Sequence, residues 1–484
     1  MLRLKLPVPV YEELPPEVLS TLENFVDETA PVDGIAMKPV GRAVKQRDPI
    51  GLAIEVRAGD LEPEAYELSV TSNGARLAAS SSPGLLYGLH TLLQLCRVES
   101  GDVVVTGAEI VDRPRFAWRG MHLDVSRHFF SVAFVKKYID LLARHKMNIF
   151  HWHLCDDQGW RIEIPAFPRL TEIGAWRVEN GSRYGGFYGR DEISQVVEYA
   201  RVRGVTIVPE IEMPGHASAA LAAYPEYSCT GGPFEVATTW GVFDDVYCAG
   251  KDKTFAFLEA ILEEATSLFP GSVIHIGGDE CPKERWSAHK LCQGRIQREG
   301  LRDENHLQAY FVGRIAKHLG TMKKRLVGWD EILDGGAPSD SIIMAWRSID
   351  HGVIAATAGH DVVMCPMSHC YFDHYQADPE SEPKAIGGFS PLDKVYGFEP
   401  IPDELPEEFH ARIIGGQGNV WTEYMSDTER VEYMTFPRLC ALSEVLWSPR
   451  TARSWDSFAA RLNEHLKRLD RIGVNYRKPT GQES

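Results

Sequence analysis

Two adjacent carboxylates end an apolar run, in Ser272-Val-Ile-His275-Ile-Gly-Gly-Asp279-Glu280, and they are the residues of this chain best placed to do chemistry. The run reads as a buried strand, and the glycines after it as a turn that leaves room for a ligand. Neighbouring carboxylates repel, so at least one should keep its proton above the usual carboxylate range. An acid holding its proton beside an anion suits cleavage of a glycosidic bond. The same pair would also suit the first turn of a helix, where acids offset the macrodipole. Which reading holds depends on what else arrives at the same place.

Beyond about residue 114 the chain falls into eight apolar, strand-like runs: 118–125, 147–154, 205–211, 273–276, 325–329, 342–346, 362–365 and 413–421. Most are followed by helical segments with cap signals. Ser131 precedes an amphipathic run through Lys146, Asp191 one that stops at Gly204, and Asp303 one that ends at Gly320. Eight strands with helices between them over roughly 340 residues predict an α/β fold, a (β/α)₈ barrel. Some helices should be irregular or missing. The link from Trp329 to Ile342 is too short for one, and Phe372 to Arg412 is long and Pro-rich. Residues 1–113 read as a separate, non-catalytic α+β domain. Alternating residues flank Asn73-Gly74 as in a hairpin, and Ser82-Pro83-Gly84 opens an apolar helix. Asp112-Arg113-Pro114 is the predicted boundary, leaving 114–484 for the barrel and a C-terminal helix.

Barrel enzymes carry their chemistry at the carboxyl ends of the strands. Here those ends read Asp124-Val-Ser-Arg127, Asp156-Asp157, Glu210-Ile-Glu212-Met-Pro-Gly-His216, Asp279-Glu280, Trp329-Asp330-Glu331, Trp346-Arg347, Tyr371-Phe-Asp373 and Trp421-Thr-Glu423. A sugar presents apolar CH faces and a ring of hydroxyls. Indoles stack on the faces, and carboxylates and a guanidinium bind the hydroxyls with directional, charge-assisted bonds. Of the two acids, one would protonate the leaving oxygen. In an ordinary retaining glycosidase the second would be a nucleophile ~5 Å across the sugar. Neighbours on one strand end lie more naturally on the same side of the bond, so a substrate amide could supply the nucleophile instead.

These motifs, with His151-Trp-His-Leu-Cys-Asp-Asp-Gln-Gly-Trp160-Arg and Pro209-Glu-Ile-Glu-Met-Pro-Gly-His216, resemble those of the family 20 β-N-acetylhexosaminidases over residues 1 to 450. The resemblance implies retaining exo-hydrolysis of terminal, non-reducing β-linked N-acetylglucosamine or N-acetylgalactosamine through an oxazolinium intermediate. It implies Glu280 as general acid and then base, Asp279 as the group orienting the 2-acetamido substituent, and Tyr371 as donor to its carbonyl oxygen. Trp329, Trp346 and Trp421 would wall the acetamido pocket and ring face. Arg127, Asp373 and Glu423 would bind hydroxyls, and Asp156, His216 and His275 would support the acid. Glu212 departs from the family's Asp, and its extra methylene moves the carboxylate by ~1.5 Å.

Composition agrees with an ordinary soluble globular chain: 484 residues, 44% hydrophobic and 25% charged, with a net charge of −17. That charge disfavours nucleic acid or an anionic membrane as partner. The broken, charged N-terminus has no leader signature, and the nine cysteines have no CxxC pair or disulfide framework. A reduced, cytoplasmic setting is expected, with secretion after removal of a leader as the alternative. No cofactor and no metal is expected. Barrels of this type can pair through strand-end loops, which makes residues 372–412 a candidate lid or homodimer interface. Two other functions remain open to the sequence. His151 and His153 alternate as an HxH pair could for a metal hydrolase, and a non-catalytic sugar-binding barrel would keep the tryptophans.

Overall fold

The computed structural model describes residues 1–12, 14–41, 51–57, 59 and 61–479. The eight apolar runs form eight parallel strands that close into a barrel. They are β1 (Trp118–Asp124), β2 (Ile149–His153), β3 (Thr206–Glu210), β4 (Val273–His275), β5 (Arg325–Trp329), β6 (Ile342–Ala345), β7 (Asp361–Met364) and β8 (Ile413–Gly418). Each pairs with the next, and β8 returns to β1 with Trp118 opposite Gly415. A parallel strand in a barrel is covered on both faces, so the runs are continuously apolar rather than alternating; every residue of β1 is buried. The interior is not wholly apolar. His122, His151, His153 and His275 meet there, with ring centroids 4.5–5.5 Å apart for the 122–151, 122–153 and 151–275 pairs.

Three helices show how far local signals reach. After β1, Ser131 Oγ accepts the Phe134 N–H at 3.4 Å and starts the helix Val132–Arg144. That helix stops short of Lys146, whose backbone turns left-handed (φ 58). After β4, the Asp303 carboxylate accepts the His306 N–H at 3.0 Å and starts Glu304–Thr321. The helix after β2 starts earlier than predicted, as Arg190–Arg201 with Gly189 at its cap. Glu192 reaches back to accept the Gly189 N–H at 2.9 Å, which leaves Asp191 in the first turn rather than at the cap. Between β5 and β6 there is only a 3₁₀ turn, Asp330–Leu333. Residues 372–412 hold short pieces, the helix Leu392–Gly397 and the 3₁₀ turn Glu407–Arg412.

The N-terminal part carries a six-stranded mixed sheet and a three-stranded antiparallel sheet around the helix Ser82–Leu95. Strands Tyr66–Thr71 and Gly74–Ala79 pair with Thr71 opposite Gly74, so the turn residues are Ser72 and Asn73 rather than Asn73 and Gly74. Ser81, one residue before the predicted opening, accepts the Gly84 N–H at 3.3 Å and caps the helix. The core of this part runs from Leu2 to Val105 and takes in Trp447 from the barrel's helix Arg438–Trp447. Arg119, 0% exposed at the base of β1, completes the junction. Its guanidinium forks onto Glu64 at 2.9 and 3.1 Å and also reaches the Phe116 carbonyl and the Tyr87 hydroxyl. No helix among the described residues is long and apolar enough to cross a membrane.

Removing a buried charge while leaving its partner is costly, so Arg119→Met should lower the unfolding free energy by about 3 kcal/mol in urea titration, with kcat unchanged. A loss under about 1 kcal/mol would show that the Glu64 fork does not hold the junction.

Candidate active site

A cavity of about 310 Å³ opens at the carboxyl ends of the strands. This is the low end of the range for small-ligand sites, roughly 300–1,000 Å³, and fits one sugar residue better than a chain. Arg127, His216, Asp279, Glu280, Trp329, Trp346, Tyr371, Asp373, Trp421 and Glu423 all line it. Asp156 and His275 do not reach it and stand behind it, in contact with groups that do or with Glu210. The segment after β7 supplies a rim that the sequence left unassigned: His374, Ile386, Gly387 and Gly388.

The site is built on Glu210, the last residue of β3, which is fully buried. One of its carboxylate oxygens lies 2.8 Å from His275 Nδ1 and accepts the Trp329 indole N–H at 2.8 Å. The other lies 2.5 Å from His153 Nδ1 and 3.0 Å from His151 Nε2. Burial works against this charge, but His275, His153 and His151 outweigh it and hold the carboxyl well below its usual range. The path continues outward. His153 Nε2 lies 3.0 Å from Asp156, which also takes Arg127 at 2.9 Å and His216 Nδ1 at 3.2 Å. Asp157 receives the same His216 nitrogen at 3.1 Å. His216 Nε2 then faces Glu280 at 3.5 Å and Asp279 at 3.6 Å. Charges alternate along this path. Burial alone would lower both histidines, but Glu210 and Asp156 raise His153 to about 10, and Asp156, Asp157 and Glu280 hold His216 well above its usual value.

The paired acids are therefore unequal, in the direction opposite to the one their implied roles require. Burial, with Glu210 and Glu280 adding to it, pushes Asp279 up to about 7 against the pull of His216. The Glu280 side chain is 44% exposed, and its hydrogen bond from His216 holds it below its usual value. Burial and neighbouring charge thus favour protonation of Asp279 over Glu280. The turn that presents them uses left-handed backbone at Gly277 (φ 67), Gly278 (φ 92) and Glu280 (φ 39). A Cβ on Gly277 would collide with the Glu212 carboxyl, which packs beneath the turn. Both Glu212 oxygens are buried without a hydrogen-bond partner among the described residues. Burial, then Asp279 and Glu210, keep this carboxyl protonated. Glu212 supports the turn from below and does not line the cavity.

The rest of the lining is suited to hydroxyls. Arg127 is held by Gln158 at 3.0 Å and Asp156 at 2.9 Å, with its guanidinium 5.0 Å from the Trp421 ring centre. Asp373 and Glu423 each bury a carboxyl oxygen that has no partner among the described residues. Burial raises both, Glu423 against the pull of Arg127. Trp346 and Tyr371 stack with ring centres 5.9 Å apart and planes 24° apart. The Trp346 indole donates at 2.9 Å to Glu331, which burial and then Asp279 and Asp330 push up to about 8. Glu210, Gln158, Asp157 and Glu331 have no assigned role in the sequence reading. The only signal for Glu210 is its strand-end position directly in register with His153, and that appears only once the strands are paired. His151 and His153 are wholly buried and direct their ring nitrogens at Glu210, Asp156 and Gln417.

A parallel barrel whose strand ends gather indoles, carboxyls and one guanidinium around a sugar-sized cavity has the build of a glycoside hydrolase. Comparison with known proteins narrows this. The model for the glycosyl hydrolase family 20 catalytic domain matches residues 116–450, and that for the family's domain 2 matches 12–113. The chain belongs to glycosyl hydrolase family 20. It is 44% identical to a beta-hexosaminidase of Porphyromonas gingivalis over 97% of its own length and 64% of that protein's, so it spans just under two thirds of this relative. It is 33% identical to a beta-hexosaminidase of Akkermansia muciniphila, with 87% of each chain covered. Among solved structures, the family 20 exo-β-N-acetylglucosaminidase of Vibrio harveyi in complex with N-acetylglucosamine superposes with a TM-score of 0.89 at 34% identity, over 99% of this chain and 76% of that one.

Because burial and neighbouring charge push Asp279 up to about 7, kcat/KM should fall as pH rises through that value, where the acid pair loses its last proton. A profile flat across roughly pH 6–9 would contradict this placement of the proton.

Proposed function

We propose that the chain is a retaining exo-β-N-acetylhexosaminidase that removes terminal, non-reducing β-linked N-acetylglucosamine or N-acetylgalactosamine with help from the substrate's own 2-acetamido group. The observation that carries this reading is the position of Asp279 and Glu280 on one wall, both facing the same nitrogen of His216. A protein nucleophile would have to come from the other carboxyls of the lining, and Asp373 and Glu423 are held toward their protonated forms. Protonated carboxyls bind hydroxyls well and attack carbon poorly.

On this reading a sugar stacks on Trp421 and Trp329, with its hydroxyls on Arg127, Asp373 and Glu423. The acetamido group enters between Trp329, Trp346 and Tyr371. Glu280 donates a proton to the leaving oxygen while the acetamido oxygen closes on the anomeric carbon. Asp279 accepts the amide N–H and balances the positive charge of the oxazolinium ring, and Tyr371 donates to the oxygen that attacks. Water, deprotonated by Glu280, then opens the ring with net retention. Substrate burial adds to the desolvation of Glu280 and moves the pair's proton toward it, reversing the order found in the free protein. The small volume of the cavity, about 310 Å³, favours exo-cleavage of one residue at a time. The names and the bound sugar of the relatives support the same substrate class.

Two outcomes are expected. Glu280→Gln should cut kcat/KM on a natural disaccharide by roughly 10²–10⁴-fold and far less on an aryl glycoside with a good leaving group; equal losses would remove the acid role. Asp279→Asn should lower kcat on 2-acetamido substrates by about 10²–10³-fold, as loss of one charge-stabilising partner does elsewhere. Wild-type turnover by that variant would contradict the substrate-assisted scheme.

A further inference from the structure

Away from the cavity, four side chains with metal-ligand chemistry converge. Cys229, Cys248, His289 and Cys292 place their sulfur and ring-nitrogen atoms within 4.8 Å of one another. The sulfur of Cys292 lies 3.7 Å from those of Cys229 and Cys248. His289 Nδ1 lies 3.3 Å from the Cys248 sulfur and 3.4 Å from that of Cys292. These are four of the six edges of a small tetrahedron, and the other two are within 4.8 Å. A zinc ion with Zn–S near 2.3 Å and Zn–N near 2.0 Å spaces its sulfurs about 3.8 Å apart and sulfur from nitrogen about 3.6 Å. A disulfide requires about 2.05 Å between sulfurs, and Cys229, Cys248 and Cys292 are all free thiols. An iron–sulfur cluster interposes several atoms between its ligands and would need a wider ring of sulfurs.

We propose that Cys229, Cys248, His289 and Cys292 hold a structural zinc ion that staples the loop after β3 to the loop after β4. Cys229 follows the 3₁₀ turn Pro225–Tyr227, and Cys248 precedes the helix Asp252–Leu268, both in the segment that begins with His216. His289 and Cys292 sit at the start of the helix Lys290–Glu299, in the segment that begins with Asp279 and Glu280. Three cysteines and one histidine fill all four positions, leaving none for a reacting water, so the role is structural rather than catalytic. Cys248 and Cys292 are buried and the other two half-buried, which shields an ion without sealing it off.

The surrounding backbone is fitted closely around the cluster. Gly250 packs directly against the backbone of Leu291 and Cys292. Only glycine allows it, because a Cβ at 250 would strike the backbone of Leu291 and Cys292. The Cys248 N–H donates to the Tyr227 carbonyl at 2.8 Å, and the Trp286 indole donates to the Tyr247 carbonyl at 3.0 Å. The two loops are thus already in register around the cluster. Only the short His289-x₂-Cys292 element is local in sequence; Cys229 and Cys248 are separated by 18 intervening residues, and Cys248 and His289 by 40. The expectation of a metal-free chain rested on local spacing, which hides such a site.

Metal analysis of the full chain, purified without chelator, should find about one zinc per chain, with X-ray absorption showing three sulfur and one nitrogen neighbours. Cys248→Ser and Cys292→Ser should lose the zinc, and Cys96→Ser, in the N-terminal part, should keep it. Because a serine variant can also disturb the loops, the wild type supplies a second readout. Stripping with a strong chelator should lower its thermal unfolding temperature and expose Cys229, Cys248 and Cys292 to alkylation, and zinc should reverse both. A chain that neither contains nor takes up zinc, or a disulfide from Cys292 found by mass spectrometry, would overturn the proposal. These readouts do not depend on the substrate, so they stand or fall separately from the hexosaminidase reading.

Discussion

One buried carboxylate sets the terms for the rest of the site. Glu210 sits at the mouth of the barrel without exposure to water, where an isolated charge would be prohibitively costly. It is tolerated because His151, His153, His275 and the Trp329 indole surround it. Those four come from β2, β4 and β5, so meeting the needs of one charge fixes the relative positions of the neighbouring strand ends. The indole bond also fixes the ring that floors the sugar cavity. Replacing this cluster with apolar side chains could preserve a barrel but would remove the reference point for everything above it.

From Glu210 the charges alternate outward through His153, Asp156 and His216 to Asp279 and Glu280. Each ion is positioned by the one beneath it, so the acids are oriented by a rigid path that starts in the core. The turn carrying them is strained as well as supported, with Glu280 and His216 both in left-handed backbone (φ 39 and 46). Such strain persists only where its surroundings over-determine it. Here the protonated Glu212 packs against Gly277 from below and His216 pins the two acids from the side. The outcome is a pair in which burial favours the proton on Asp279, and on the proposed mechanism a substrate would shift it by desolvating the exposed Glu280. That places the final adjustment of the catalytic acid in the substrate's hands, in keeping with a reaction whose nucleophile the substrate also provides.

Much of this was legible in the sequence because parallel barrel strands are apolar throughout and end abruptly in polar residues. The eight runs, the caps at Ser131 and Asp303 and the polar strand ends all follow from that contrast. What the sequence hid depends on pairing. Glu210 and Glu212 stand two apart in one acidic motif, and nothing local says that one becomes a charged hub and the other a neutral support. The cap at Gly189 was hidden because the work is done by Glu192 reaching back, not by the cap residue. The location of the pair's proton depends on burial, which spacing cannot report. The Cys₃His cluster is assembled by two long loops, so its ligands are scattered along the chain.

The central claim is that no protein atom attacks the anomeric carbon. It is tested most directly by the rates on aryl glycosides whose 2-acetamido group carries zero, one, two or three fluorines. Fluorine withdraws electrons from the amide oxygen and changes little else near the reacting bond. If that oxygen is the nucleophile, log kcat/KM should fall steeply and steadily with each fluorine. Rates that stay level across the series would mean that a side chain of the protein makes the bond and that the account of Asp279 given above is wrong.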